Sequence, residues 1–360
     1  MEYTDFKSAQ INKRGSTLVY GTRNFDKLLK TDLSKAKSIL DNVLDLGINF
    51  IMTAQHYDGG LTESFIGEMY SGIRDEIIIG TSGGIIHSPD GVKVDLSPKT
   101  LEEQISNMLK RLQTDYLDLF QLHHDDYFCN IKETADYLNE LLNSGTIKSL
   151  GVTNFRNSRL QAWLEFVPIH TIQLPYNLLQ QNGVHYFQQV CGDFNIDIIV
   201  HSIMGGGMLT VPDIMKTDLF PYLKDSVQDG INILREEFDI LLQQMDLTVS
   251  EFIFHWLQTN KDISFILFGT QDLEHLNANV SAYHSELTTS ELREIEKFAK
   301  TSRDLLNQGL LIPFKIEDTF SVDDIKYSRF FGMPFALPNS VSVGDTIYMD
   351  DGTGEIITQN

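Results

Sequence analysis

Short apolar runs alternate with longer amphipathic stretches along the chain, from near residue 17 to near residue 284. The apolar runs have the length and the β-branched content of buried strands. The stretches between them carry apolar residues at helical spacing; SKAKSILDNVLDLG at 34–47, for example, keeps them on one face and stops at Gly47. The predicted strands are TLVYG (17–21), NFIMT (49–53), IIIGT (77–81), LDLFQL (117–122), SLGVT (149–153), TIQLP (171–175), DIIVH (197–201) and SFILF (264–268).

Eight such runs, each followed by a helical stretch, predict a parallel sheet that is covered by helices. Eight strand–helix units are the number that closes a (β/α)8 TIM barrel, so this α/β fold is the prediction for residues 1–304. A doubly wound open sheet is the structural alternative, but no GxGxxG sequence follows the first strand. The barrel is therefore the better interpretation.

Two segments are longer than a minimal barrel requires. Residues 202–247 form a long loop after the seventh strand, and such insertions often act as lids or binding loops. Residues 305–360 form a C-terminal extension, in which alternating polarity and an Asp-Gly pair at 351–352 predict a terminal β-hairpin. The extension either caps the barrel or mediates self-association, so a homo-oligomer stays open.

The composition narrows the class of partner. A formal net charge of −22 argues against general binding to nucleic acid, which requires a basic surface. No apolar run is long enough for a membrane helix, and the N-terminal residues lack the apolar stretch of a secretory signal. Two cysteines, Cys129 and Cys191, are too few for a disulfide framework. We therefore expect a cytoplasmic protein that acts on a small molecule, with neither nucleic acid nor membrane as a partner.

In a barrel of this kind the chemistry lies at the C-terminal ends of the strands. Here those ends carry residues that would be poor choices for a closed core, and the fold would bring all of them to one mouth. They are Met52 and Thr53, His56 and Tyr57, Thr81 and Ser82, His123 and His124, Thr153 and Asn154, Gln173, His201 and Ser202, and Gly269 and Thr270.

Five motifs in order give the chain its resemblance to the aldo-keto reductase family. They are MTAQHYDGGLTESFIG (52–67), RLQTDYLDLFQLHHDD (111–126), SGTIKSLGVTNF (144–155), IQLPYNLLQQ (172–181) and VHSIMGGGMLT (200–210). The likeness covers roughly residues 15–285, and the spacing after Tyr57 is nearest to the members that act on sugars. The resemblance implies a (β/α)8 barrel and carbonyl reduction with NADPH.

The resemblance also implies four catalytic residues, a Tyr, a His, a Lys and an Asp. The Tyr protonates the substrate oxygen, the Lys lowers the pKa of the Tyr, the Asp holds the Lys, and the His orients the substrate. By motif position Tyr57 and His123 are retained, but Met52 stands at the Asp position and Ser82 at the Lys position. Joint loss of the two charges leaves no orphan ion in a buried site. We therefore predict that the usual proton relay is absent.

The family's cofactor groove is matched in part. By resemblance Thr153, Asn154 and Gln173 would hold the nicotinamide amide, His201 takes the stacking position, and Ser202 faces a phosphate. The remaining predicted groove residues are Gly269, Thr270, His275 and Asn279. His275 stands where the family often has an Arg for the 2′-phosphate of NADPH, and a neutral imidazole cannot replace a bidentate guanidinium.

Three functions compete at this point. The favoured hypothesis is acid–base chemistry by Tyr57 and His123 without a cofactor: isomerisation, ring-form interconversion or epimerisation of a sugar or a nucleotide sugar. The first alternative is an oxidoreductase that uses NADP or NAD on a sugar or another carbonyl. The second alternative is a non-catalytic module that senses a ligand.

Two further histidines, His56 and His124, are expected to face the substrate. His56, His123 and His201 would reach one mouth, and imidazoles suit zinc. Their spacing matches no metal motif, so we predict no metal site.

Overall fold

The computed structural model describes residues 1–23, 25–88, 91–217 and 225–307, together with five short strands beyond residue 318. Eight parallel strands close into a barrel in which each strand pairs with the next and the last pairs with the first. The predicted (β/α)8 fold is thereby confirmed. The barrel strands are β1 (Leu18–Gly21), β2 (Phe50–Met52), β3 (Ile78–Gly83), β4 (Leu119–Leu122), β5 (Leu150–Thr153), β6 (Thr171–Pro175), β7 (Asp197–His201) and β8 (Ile263–Phe268).

Helices cover the outside of the barrel, and several begin at the side-chain caps that their sequences predict. Ser97 caps its helix by accepting a hydrogen bond from the N–H of Thr100, with Pro98 in the first turn. Thr248 and Glu251 form a reciprocal capping box. The described helices are α1 (Phe25–Thr31), α2 (Leu33–Asp45), α3 (Leu61–Tyr70), α4 (Pro98–Leu112), α5 (Ile131–Ser144), α6 (Asn157–Leu164), α7 (Asn182–Asp193), α8 (Asp225–Met245), α9 (Val249–Thr259), α10 (Leu273–His284) and α11 (Thr289–Asn307).

The N-terminal end of the barrel is filled by side chains. Residues Tyr3–Thr4 pair with Gly15–Ser16 ahead of β1, and between them Phe6 packs against two barrel phenylalanines. The ring of Phe6 lies 4.8 Å from that of Phe265 and 5.7 Å from that of Phe50, centroid to centroid. These rings belong to a small core cluster inside the barrel, separate from the larger core between strands and helices. Open space for a ligand is therefore expected at the opposite end.

An ion pair inside the fold anchors helix α3, which follows the loop after β2. The buried carboxylate of Glu63 accepts hydrogen bonds from the hydroxyl of Thr81 at 2.5 Å and from Nε of Arg111 at 2.7 Å. Gly60 precedes this helix with a φ of +90°, and a Cβ there would lie 2.2 Å from Nε of Arg111. A side chain at residue 60 would thus push the arginine away from its partner.

The segment after β7 contains more helix than the predicted long loop at 202–247. It begins with the short turns Gly205–Gly207 and Ile214–Lys216, and its amphipathic second half forms α8. Residues 218–224 lie outside the described part. A second excursion, after β3, is an antiparallel pair of strands, Ile85–Ser88 and Gly91–Val94.

Five short strands are described beyond α11. Thr319–Val322, Ile325–Phe330 and Met333–Ala336 pair in antiparallel order. Thr346–Tyr348 pairs antiparallel with Gly354–Ile356, whereas the Asp-Gly pair at 351–352 lies outside the described residues. The division into a barrel (1–304) and an extension (305–360) stays a prediction. Among the helices described, none is long and apolar enough to cross a bilayer.

Candidate active site

A cavity of about 730 Å³ opens where the barrel strands end. Apart from His275 and the buried Thr81, every residue that the sequence predicts for the site lines it, and these residues come from all the strands of the barrel except β1. The predicted residues in the lining are Met52, His56, Tyr57, Ser82, His123, His124, Thr153, Asn154, Gln173, His201, Ser202, Gly269, Thr270 and Asn279.

His275 lies outside the cavity, in the first turn of α10, where its side chain is exposed. Asp272 caps this helix and accepts hydrogen bonds from the N–H groups of Glu274 and His275 at 2.9 and 3.1 Å. The Asp272 carboxylate also lies 3.7 Å from the Lys35 ammonium. At this end of the groove the charge of Lys35 is therefore opposed by the acidic cap.

Met52, which the resemblance places at the position of the family's acid, contributes apolar volume to the site. Its side chain is buried, and a Cβ built on Gly80 of the neighbouring β3 would lie 2.1 Å from its sulfur. The absence of a side chain at residue 80 makes the room that the methionine occupies. The Met52 carbonyl accepts hydrogen bonds from the N–H and the hydroxyl of Thr22 at 3.0 and 3.2 Å, which joins the ends of β1 and β2.

Ser82, which the resemblance places at the position of the family's lysine, belongs to a neutral hydrogen-bond chain. Its buried hydroxyl donates to Oε1 of Gln121 at 3.4 Å, and Nε2 of Gln121 donates to the hydroxyl of Thr171 at 3.5 Å. Within the described part of the chain, no lysine lines the cavity. Ser82 is thus paired with a neutral amide and Met52 adds only apolar volume, so neither position carries a charge.

Tyr57 begins a short helical turn, Tyr57–Gly60, which an ion pair near the surface holds in place. Asp58 has a φ of 47°, and its carboxylate lies 2.5 Å from the ammonium of Lys30. The ring of Tyr57 meets the imidazole of His56 edge-on, with centroids 4.7 Å apart. Burial raises the pKa of the Tyr57 hydroxyl, and the positive charge of Arg23 acts in the opposite direction. The phenol is therefore protonated at neutral pH.

Arg23 is a site residue that the sequence reasoning missed. It follows β1 directly after Thr22, lines the cavity, and is exposed. No other arginine or lysine lines the cavity among the residues described. The rule that chemistry lies at strand ends, applied to the first strand as it was to the others, would have made it a candidate, but only the structure shows that it lines the cavity.

The imidazoles at the mouth form a buried and uncharged cluster. The rings of His56 and His123 lie 4.6 Å apart, and those of His123 and His124 stack at 5.6 Å. Burial lowers the pKa of His123 well below its usual range, that of His56 to about 4, and those of His124 and His201 to about 3. Neighbouring histidines and the charge of Arg23 contribute to several of these shifts. Each ring is therefore neutral at neutral pH, and a neutral ring offers one donor and one acceptor.

No group of three histidine, cysteine, aspartate or glutamate side chains within the described ranges is arranged to hold an ion.

The wall opposite Met52 and Ser82 carries polar atoms that lack partners. Buried in it are the hydroxyl of Thr153, Oδ1 of Asn154 and Oε1 of Gln173, and none of the three has a hydrogen bond within the described structure. Asn154 is held by its other amide atom, which donates to the carbonyl of His123 at 3.0 Å. Unpaired buried polar groups are costly, and in an open cavity water or a ligand can pair with them. One donor and two acceptors fit a carboxamide such as that of nicotinamide.

The phenol, the neutral imidazoles and this amide wall together define a barrel enzyme with room for a small substrate and a cofactor. The chain belongs to the aldo/keto reductase family, whose sequence model matches residues 17–300.

The relatives of the chain include named oxidoreductases. It is 27% identical over 281 residues to the uncharacterised oxidoreductase YqkF of Bacillus subtilis, a match that covers 76% of this chain and 90% of that protein. It is 25% identical over 285 residues to the NADH-specific methylglyoxal reductase of Escherichia coli, covering 72% and 87%.

A solved structure agrees with these relatives. The holo form of the aldo-keto reductase AKR11C1 from Bacillus halodurans superposes with a TM-score of 0.69 at 26% identity, over 83% of this chain and 96% of that one. These findings support an enzyme of the oxidoreductase type. They give no support to the isomerase, to a nucleotide sugar or to a cofactor-free reaction, which the sequence alone favoured.

Proposed function

We propose that the chain is a nicotinamide-dependent oxidoreductase that acts on a small carbonyl compound. One observation carries this proposal. The same cavity holds a protonated phenol at Tyr57, a neutral imidazole at His123, and the unpaired polar atoms of Thr153, Asn154 and Gln173. The first pair suits a carbonyl oxygen, and the second set suits the amide of a nicotinamide ring.

Thr153, Asn154 and Gln173 would hold the carboxamide of the cofactor. The two side-chain carbonyl oxygens accept from its NH2 group, and the threonine hydroxyl donates to its oxygen. When bound, a reduced nicotinamide supplies the hydride for carbonyl reduction. At the predicted adenine end the Asp272 carboxylate lies 3.7 Å from the Lys35 ammonium and opposes its charge, which favours NADH over NADPH with its 2′-phosphate.

Tyr57 donates the proton to the substrate oxygen. A raised pKa keeps it protonated, and it gives up the proton only as negative charge develops on the oxygen. His123, being neutral, donates a hydrogen bond that orients the same oxygen without competing for the proton. Arg23 is the cation whose charge eases ionisation of the phenol.

Without a lysine against the phenol, the reaction is expected to be slow. Loss of a preorganised charge at a reacting group costs on the order of 10²–10³ in rate. Arg23 recovers only a small part of this loss, because its guanidinium is exposed and solvent screens its charge from Tyr57.

The test is a fluorescence titration with NADH and NADPH, followed by consumption of the reduced cofactor with small aldehydes such as methylglyoxal. We expect binding at micromolar concentrations, tighter for NADH, and slow turnover. Failure of both nucleotides to bind at millimolar concentration would remove the proposal. Binding without turnover of any aldehyde would favour the ligand-sensing module.

The neutral hydrogen-bond chain from Ser82 through Gln121 to Thr171 favours a second candidate function. Acid–base isomerisation or epimerisation of a sugar needs the phenol and the imidazole but no lysine and no cofactor. Incubation with aldoses, ketoses and nucleotide sugars in the absence of nicotinamide, followed by NMR, tests it directly. Conversion under these conditions would replace the redox proposal.

A further inference from the structure

The guanidinium of Arg23 is the one cationic side chain in the described lining of a cavity whose imidazoles are all neutral. We propose that Arg23 binds an anionic group of the substrate and makes the enzyme selective for small carbonyl compounds that carry a carboxylate or a phosphate. This inference rests on the proposed oxidoreductase function and names its substrate class.

Arg23 differs from the arginines that stabilise the fold. Arg74, Arg111 and Arg159 each lie within 2.7 Å of a buried carboxylate, and they hold Asp118, Glu63 and Asp125 in place. Arg23 has no carboxylate within ion-pair distance among the described residues. Its planar fork of donors is therefore available to a ligand, and such a fork matches the oxygens of a carboxylate or a phosphate in pairs.

Two carboxylates also line the cavity, and both bear on the charge that a ligand meets. Asp58 is neutralised by Lys30, since the two groups lie 2.5 Å apart. Asp26 lines the same side, but it lies beyond ion-pair distance of Arg23, so it does not occupy the guanidinium. Elsewhere a chain with a formal net charge of −22 repels anions. Attraction of an anion to this mouth therefore depends on Arg23.

The position of Arg23 suits a substrate group rather than a structural role. Thr22 fixes the preceding backbone by two hydrogen bonds to the Met52 carbonyl, so the arginine leaves the barrel rim at a defined point. Its positive charge there lowers the pKa values of Tyr57, His56, His123 and His201. Arg23 therefore interacts electrostatically with the groups assigned to the carbonyl. An anion bound by Arg23 would thus hold the carbonyl end of a small molecule near Tyr57.

The experiment compares matched charged and neutral substrates: D-glyceraldehyde 3-phosphate with D-glyceraldehyde, and succinic semialdehyde with butanal. The readout is the ratio of kcat/KM for the charged over the neutral member of each pair. In Arg23→Gln we expect this ratio to fall about 10- to 100-fold, the loss typical of a charge-assisted hydrogen-bonded pair, and in Arg23→Lys to fall less. Lys27→Gln is the control, because it removes the same charge from an exposed site on α1 outside the cavity; there the ratio should not change. The phosphate and carboxylate pairs show which anion is preferred.

Calorimetric titration with glycerol 3-phosphate and succinate, which cannot be reduced, separates this inference from the function it rests on. Binding that is lost in Arg23→Gln but kept in Lys27→Gln supports anion recognition even if no aldehyde is turned over. An unchanged ratio in Arg23→Gln, with turnover present, overturns the inference and leaves the oxidoreductase intact. An equal fall for charged and neutral substrates, or weaker NADH binding alone, also overturns it, because Arg23 would then serve Tyr57 or the cofactor.

Discussion

Two walls of the cavity differ in how their polar groups are satisfied. The relay wall, formed by Met52, Ser82 and Gln121, is packed and hydrogen-bonded within itself. The amide wall, formed by Thr153, Asn154 and Gln173, leaves three buried atoms without partners in the described structure. The polar groups of the first wall have hydrogen-bond partners within the protein, whereas those of the second wall can gain partners when a ligand binds. This contrast supports the proposal that a ligand is bound at the amide wall.

The largest expected effect tests whether chemistry remains between these walls. Tyr57→Phe should lower kcat by about 10²–10⁴, the usual contribution of a general acid, and change the Kd for NADH less than twofold. Steady-state kinetics and fluorescence titration measure the two quantities. Tyr127→Phe, at a tyrosine outside the cavity, is the control. An intact kcat in Tyr57→Phe would mean that another group protonates the substrate.

The second prediction challenges the neutrality of the relay wall. Ser82→Lys alone should lower the free energy of unfolding by about 3–5 kcal/mol, because it places an ammonium without a partner in a buried site. Addition of Met52→Asp should recover part of that loss and raise kcat with an aldehyde. Urea unfolding measures the stability, and Ser82→Ala, which removes one neutral hydrogen bond, should cost only about 1 kcal/mol. A fully stable Ser82→Lys single variant would show that water reaches this wall.

The third prediction concerns acid stability. The pKa of His124 is about 3 in the folded protein and near 6.5 in the unfolded chain. Between these two pH values only the unfolded chain therefore binds the proton. Its contribution to stability is complete above pH 6.5 and is lost as the pH falls toward 3. Between pH 7.5 and pH 5 the free energy of unfolding should therefore fall by about 1–2 kcal/mol less in His124→Gln than in the wild type, as measured by urea unfolding. Parallel pH profiles for the two proteins would contradict the assignment of a neutral buried ring.

The smallest expected effect lies on the amide wall. Gln173→Ala removes one acceptor for the carboxamide and should raise the Kd for NADH about 3- to 10-fold, the value of one neutral hydrogen bond. Fluorescence titration measures it, with Gln188→Ala on the exposed side of α7 as the control. Unaltered affinity in Gln173→Ala would place the nicotinamide elsewhere and remove the contrast between the walls.

The fold and most of the lining could be predicted from the sequence. Eight apolar runs specify a closed barrel because every strand is buried on both faces, and closure brings all strand ends to one mouth. Met52 and Ser82 were identified at positions that the structure places in the same lining.

Other features depend on contacts that a linear pattern does not contain. His275 lies outside the cavity because its side chain, in the first turn of α10, is exposed to solvent, and the rotation of a helix about its axis is set by tertiary packing. Arg23 was missed because an arginine after a strand reads as a surface charge until the cavity is seen around it. The neutral partner of Ser82 is Gln121 on the adjacent β4, a side-chain pairing that follows from barrel closure.

The aromatic rings at the N-terminal end of the barrel determine how a ligand reaches the cavity. Phe6 packs against Phe50 and Phe265 and closes the N-terminal end of the barrel, so a ligand reaches the cavity from the opposite end. Any ligand of the cavity therefore enters and leaves at the C-terminal ends of the strands. A chain shortened past Phe6 would lose one of the side chains that fill the N-terminal end, and the rings of Phe50 and Phe265 would be more exposed to solvent.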